Sequence, residues 1–182
     1  AREIGDRRGE GNALGNLGLA YAALGEPRKA IKYHEQALAI DREIGDRRGE
    51  GKDLGNLGIA YKNLGEPRKA IKYHEQALAI TREIGDKMAE GAILGNLGIA
   101  YRNLGEPRKA IEFYEQRLII AREIGDRRGE GSALWNMSLA LDKLDNRGRA
   151  IDCARAALKI LEEIENPRAE EVKRQLREWE SS

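Results

Sequence analysis

Four glycines in the stretch GEGNALGNLG, at Gly9, Gly11, Gly15 and Gly18, have the residue type and spacing of a loop that could wrap a pyrophosphate. Inside a helix, the same residues would instead let a neighbouring segment approach where a β-carbon would collide. His34 and His74 stand forty residues apart and could be metal ligands or packing rings. Cys153 is the single cysteine, which excludes an internal disulfide framework and suits a reducing compartment. Glu35 and Glu75 sit in ordinary helical charge patterns, three residues after Lys32 and Lys72, on solvated faces. No Ser, His and Asp constellation stands out, so an enzyme is not expected.

The elements around these residues decide between the alternatives. The chain repeats itself with a period of 40: AREIGDRRGEGNALGNLG at position 1 returns as DREIGDRRGEGKDLGNLG at 41, TREIGDKMAEGAILGNLG at 81 and AREIGDRRGEGSALWNMS at 121. A period in this range signals stacked supersecondary units. Leu14, Leu17, Tyr21 and Leu24 fall at helical spacing. Gly25-Glu26-Pro27 then breaks the chain, and Ala30, Ile31, His34, Ala37, Leu38 and Ile44 mark the inner stripe of a second helix. Gly45 closes that helix, and Asp46 is placed to cap the next.

Abundant Ala, Leu, Glu, Lys and Arg favour helix throughout, so the expected class is all-α. A dinucleotide fingerprint needs a strand before its glycines, whereas REIGDRR reads as the charged tail of a helix. In the fourth copy Gly15 and Gly18 become Trp135 and Ser138, which would destroy a phosphate cradle. The glycines are therefore expected to be packing devices. Tyr114 follows His34 and His74 in the third copy, which suits a packing aromatic, and helix axes about 8–10 Å apart are awkward for two metal ligands. No metal and no cofactor is expected. Cys153, standing where the other copies have Tyr33, Tyr73 and Phe113, reads as a small, partly buried hydrophobe.

Leu14, Leu17, Gly18, Tyr21, Ala30, His34 and Ala37 match in spacing the pattern of the tetratricopeptide repeat family, and the copies from Leu54 to Ala77 and Leu94 to Arg117 match as well. The Pro that usually ends the second helix is replaced by Arg42, Arg82 and Arg122, and the unit is lengthened to 40 residues. In that longer form, with its Leu-Gly-Asn triplet, the chain resembles the spindle-orientation adaptors named for the triplet and the repeat arrays of bacterial signal-transduction ATPases. The resemblance implies a right-handed α-α superhelix whose first helices line a concave groove that binds peptides. The repeats are expected at about residues 6–45, 46–85, 86–125 and 126–165, as a single array. A capping helix is expected at about 166–179, where Asn166 can cap, Pro167 can start, and Ala169, Val172, Leu176 and Trp179 form one apolar stripe.

Copies one and two are identical at 34 of 40 positions. They differ at Ala1/Asp41, Asn12/Lys52, Ala13/Asp53, Leu19/Ile59, Ala22/Lys62 and Ala23/Asn63, so five of the six changes lie in the first helix. Positions 12, 19 and 23 fall within about 40° of one another, with 22 beside them. Substitutions gathered on one face of a copied scaffold point to function there; free drift of exposed sites is the alternative. The third and fourth copies add Ala92, Ile99, Arg102 and Asn103, then Ser132, Trp135, Leu139, Asp142 and Lys143. Beside this stripe run Asn16, Asn56, Asn96 and Asn136. An amide offers both a donor and an acceptor to a peptide backbone, and in the adaptors the chain resembles, groove asparagines hold an extended ligand; alternatively each Asn ties adjacent repeats together. Trp135 is either the main apolar anchor or part of a cap on the last helix pair.

Lys and Arg total 32 against 31 Asp and Glu, so no global field draws the chain to nucleic acid or anionic lipid, and neither is an expected partner. Locally, Lys52, Lys62, Arg102 and Lys143 outnumber Asp53 and Asp142 on the stripe. The expected function is a protein-protein interaction module, cytoplasmic, that binds an extended or partly helical acidic segment in its groove. The alternative is a C-terminal sensing or structural arm of a larger bacterial signalling ATPase. Ala1-Arg2-Glu3-Ile4 repeats the wording of Ala121-Arg122-Glu123-Ile124, which suggests a chain cut from a longer array. Self-association through apolar Leu14, Leu17 and Ile31 at that end is then expected.

Overall fold

The computed structural model describes residues 2–181, with side chains from residue 6 onward; Ala1 lies outside them. Among the described residues there is no strand. The helices are α1 (Arg2–Ala23), α2 (Pro27–Ile44), α3 (Arg47–Asn63), α4 (Pro67–Glu83), α5 (Lys87–Asn103), α6 (Pro107–Ile124), α7 (Arg127–Asp142), α8 (Arg147–Glu163) and α9 (Ala169–Glu180). The chain divides into two compact units, residues 1–86 with α1–α4 and residues 87–182 with α5–α9.

Helix limits follow from local chemistry. Pro27, Pro67 and Pro107 open the second helices, where a missing N–H costs nothing. Asp46 and Asp126 cap α3 and α7 by accepting from the backbone N–H of Gly49 at 3.0 Å and Gly129 at 2.8 Å. The turn after α1 needs a left-handed residue, supplied by Gly25 at φ +72°. In the fourth copy Asp145 takes that turn at φ +56°.

In the first unit α1 packs on α2, α2 on α3 and α3 on α4. The core is built from small and branched residues, among them Ala30, Ala37, Leu54, Leu57, Ala70 and Ala77. Tyr21 stacks on Tyr33 and Tyr61 on Tyr73, each with ring centroids 5.2 Å apart. Lys29 lies over the Tyr21 ring and Lys69 over the Tyr61 ring. Arg7 pairs with Glu43 and Arg47 with Glu83, joining the two helices of each repeat at the same place. Leu17 is 43% exposed, whereas its counterparts Leu57 and Leu97 are fully buried. Ile31, expected on the same open face, is instead buried.

The second unit stacks α5 through α9 in sequence. Its core joins Tyr114, Leu134, Trp135, Leu141, Leu161, Val172, Leu176 and Trp179. Helix α9 begins at Ala169, later than expected from Asn166 and Pro167. Asn166 Oδ1 accepts from the N–H of Arg168 at 3.0 Å, which makes a turn ahead of the helix.

Candidate binding face of the first helices

The opening glycines lie within helix α1, and the same positions recur inside α3 and α5. A β-carbon on Gly18 would come within 2.6 Å of the His34 ring. One on Gly58 would overlap His74, and one on Gly98 would overlap Tyr114. These are sites of close helix contact and not a phosphate cradle. Gly15 is less tightly bound, with only Asp53 at 3.5 Å from the same point.

With the rings seated inward, the polar stripe of each first helix turns outward. In the first unit Asn16, Lys52 and Asn63 are exposed, Leu19 is 42% exposed, and Asn56, Ile59 and Lys62 are half-buried. In the second unit Asn103 and Lys143 are exposed, while Asn96, Ile99, Arg102 and Leu139 are half-buried. The two acids counted beside the stripe are both engaged. Asp53 is 4% exposed and faces inward to His34, and Asp142 accepts from Arg147 Nε at 2.7 Å.

Two expected site residues lie elsewhere. Trp135 is only 3% exposed and its ring centroid lies 6.3 Å from that of Trp179, so it belongs to the cap on the last helix pair and does not face solvent. Its size fills the place where the other copies have glycine, and α9 then covers it. Asn136 is also buried, and its Oδ1 accepts from Arg102 Nη1 at 3.5 Å, a tie between α5 and α7. Asn56 differs: its side-chain amide nitrogen is buried and has no hydrogen-bond partner.

Sequence reasoning missed a buried polar group between α1, α2 and α3. His34 Nδ1 and Asp53 Oδ1 are 2.8 Å apart, both residues nearly inaccessible. Asp41 lies against them, and a β-carbon on Gly49 would come within 2.5 Å of its carboxylate. Burial first, and then the charge of Asp53, raise the Asp41 carboxyl to about 7. For His74, the counterpart of His34, the sequence carries Ile93 at the repeat position equivalent to Asp53, and neither of its ring nitrogens has a partner. Burial, aided by the charge of Lys62, lowers it to about 4. The available signal was that positions 41 and 53 change together, from Ala/Ala to Asp/Asp, between near-identical copies.

The arrangement offers cations, amides and apolar side chains that reach solvent and can bind a partner. Among the described residues no group of three or more His, Cys, Asp or Glu side chains could hold a metal ion, and no helix is long and apolar enough to cross a membrane.

A family model described as tetratricopeptide repeat matches residues 1–43, 54–123 and 90–163. No curated protein sequence matches the chain. Among solved structures, the apo form of RapI is similar with a TM-score of 0.82 at 18% identity, over 86% of this chain and 57% of that one. A signal transduction ATPase with numerous domains and a tetratricopeptide repeat sensor, from Pyrococcus horikoshii, gives 0.84 at 23% identity, over 91% of this chain and 26% of that one. A kinesin light chain with nearly identical repeats from Podosopora anserina gives 0.72 at 18% identity, over 93% and 90%. The chain thus spans little more than half of the first of these proteins and about a quarter of the second. With the family model covering most of its length and its helices paired at a fixed period, the chain belongs to the tetratricopeptide repeat family.

Proposed function

We propose that the chain is a protein-interaction module whose partner lies on the outward stripe of the first helices, and that this partner is an extended or partly helical acidic segment. One observation carries the reading. Copies one and two share nearly all their residues, and four of the five first-helix positions at which they differ reach solvent: 12/52, 19/59, 22/62 and 23/63. Position 13/53 is the exception and serves the internal contact with His34. With Asp53 turned inward and Asp142 paired to Arg147, Lys52, Lys62, Arg102 and Lys143 leave the stripe more basic than its composition suggests. Exposed Leu19 and half-buried Ile59, Ile99 and Leu139 supply apolar contact. Such a surface suits a segment bearing carboxylates and a few large apolar side chains.

The likeness to an ATPase whose repeats form a sensor supports a second reading, a sensing or structural arm whose partner is a domain of its own parent protein. Titration against a library of isolated acidic peptides separates the two. An interaction module binds members of the library, and an arm that touches only its parent binds none.

A further inference from the structure

Copies one and two agree at 34 of 40 positions, so their helices compete for the same neighbours, within one chain and between chains. Misassembly and exchange of elements are the characteristic hazards of such repeats. What tells the copies apart must lie where a second helix meets the first helix that follows, as α2 meets α3. The second helices carry His34 and Asp41, then His74 and Thr81, then Tyr114 and Ala121. The first helices that follow carry Gly49 and Asp53, then Ala89 and Ile93, then Gly129 and Ala133. No two of these sets are alike.

In the first unit the set closes on itself. Asp53 Oδ1 lies 2.8 Å from His34 Nδ1, and the Asp41 carboxyl shares a hydrogen bond with Asp53, so one acid answers two partners. All three side chains are buried. The charged groups around them are engaged elsewhere: Arg42 and Arg47 both pair with Glu50, and Asp46 caps α3 through the N–H of Gly49. The space is as selective as the bonding. A β-carbon on Gly49 would come within 2.5 Å of the Asp41 carboxylate, which therefore needs a glycine opposite it.

Stacking copy one on any other first helix breaks this group. By repeat position, the third copy would set the methyl of Ala89 into the space of the Asp41 carboxylate and Ile93 against His34. The fourth copy has room at Gly129 but only Ala133 opposite the imidazole, and α1 of a second molecule offers Gly9 with Ala13. Each wrong neighbour leaves buried polar groups unpaired. An unpaired buried group costs more than a pairing gains, so the set contributes little to stability and much to the choice of neighbour.

We propose that His34, Asp41, Gly49 and Asp53 form a recognition surface between repeats, which admits copy two as the neighbour of copy one and rejects the other first helices, on the same chain or on a second one. The partner it fits is a helix with glycine and aspartate four residues apart, as at Gly49 and Asp53. The surface is independent of the solvent-facing stripe and of any acidic partner.

The test compares refolding of the full chain with that of two variants, all carrying Leu17→Glu and Leu24→Glu so that association through the open face of α1 does not enter. The first variant, Asp41→Thr with Gly49→Ala and Asp53→Ile, removes the group by installing the residues of the next junction. The second, Thr81→Asp with Ala89→Gly and Ile93→Asp, duplicates the group there, so that it no longer distinguishes one junction from the next. Each chain is diluted from urea at high protein concentration, and the oligomer that persists after further dilution is measured by size-exclusion chromatography with light scattering. The parent is expected to return as a monomer. Each variant is expected to leave about tenfold more persistent oligomer, the discrimination that one unpaired buried polar group supplies. Gly58→Ala, which weakens the fold away from the group, is the control and is expected to refold like the parent. Clean refolding of either variant overturns the proposal, and if the first does not fold the second decides alone. As much oligomer from the control or from the parent as from the variants also overturns it, because the oligomer then does not report the choice of neighbour.

Discussion

His34 Nδ1 lies 2.8 Å from Asp53 Oδ1 in the interior of the first unit, while His74, its equivalent one repeat later, has both nitrogens buried without partners. Two nearly identical repeats thus treat the same imidazole in opposite ways. Asp41, beside the first pair, and His74 should therefore give the stability of the chain two opposed dependences on pH.

Asp41 titrates near 7 in the fold against 3.8 ordinarily. Between these values the folded chain keeps a proton that the unfolded chain has released, so this carboxyl makes stability fall as pH rises from about 4 to 7. His74 titrates near 4 against 6.5, so it makes stability fall as pH drops from 6.5 to 4. Asp41→Thr, which installs the residue of the next copy, should leave only the second trend. His74→Tyr should leave only the first. Urea midpoints at a series of pH values check both, and two variants with the same slope would refute the assignment.

Gly55 and Gly58 lie one turn apart on α3 and should respond oppositely to alanine. No atom lies near a β-carbon on Gly55, so Gly55→Ala should stabilise by about 1 kcal/mol through helix propensity. Gly58→Ala drives a methyl into the His74 ring and should cost about 1–3 kcal/mol despite the same propensity gain. Chemical denaturation of the two variants is the measurement, and equal shifts would contradict the packing role.

Trp179→Ala should uncover Trp135 and cost about 3–5 kcal/mol. The emission of Trp135, the one remaining indole, should move to longer wavelength. An unchanged midpoint would show that α9 is not needed to cover the last repeat.

Leu17 and Leu24, 43% and 71% exposed, are expected to drive self-association. Sedimentation should show mass increasing with concentration, and Leu17→Glu with Leu24→Glu should abolish it. A strict monomer in the parent chain would remove the expectation.

The helix pairs were legible because every break has a local cause: Pro27 at a helix start, Asp46 at a cap, glycine in the left-handed turns. The packing role of Gly18 was legible from the helical stripe around it, since a helix interior leaves a glycine few other uses. Burial of single substitutions was not. Asp53 is adjacent in sequence to exposed Lys52, and a carboxylate there reads as solvated unless the imidazole that receives it is known. Trp135 read as a possible anchor because it shares the α7 stripe with Ser132, Leu139 and Lys143, and α9, arriving from the end of the chain, encloses it.

The central claim is that the basic stripe of the first helices receives an acidic partner segment. Its most direct test is the affinity of a library-selected acidic peptide for the parent chain and for the double variant Lys62→Glu, Arg102→Glu, measured across a range of salt concentrations. Charge reversal should weaken binding at low salt by about tenfold or more, chiefly through slower association, and should flatten the salt dependence. Equal affinity and an unchanged salt slope in the double variant would contradict the claim.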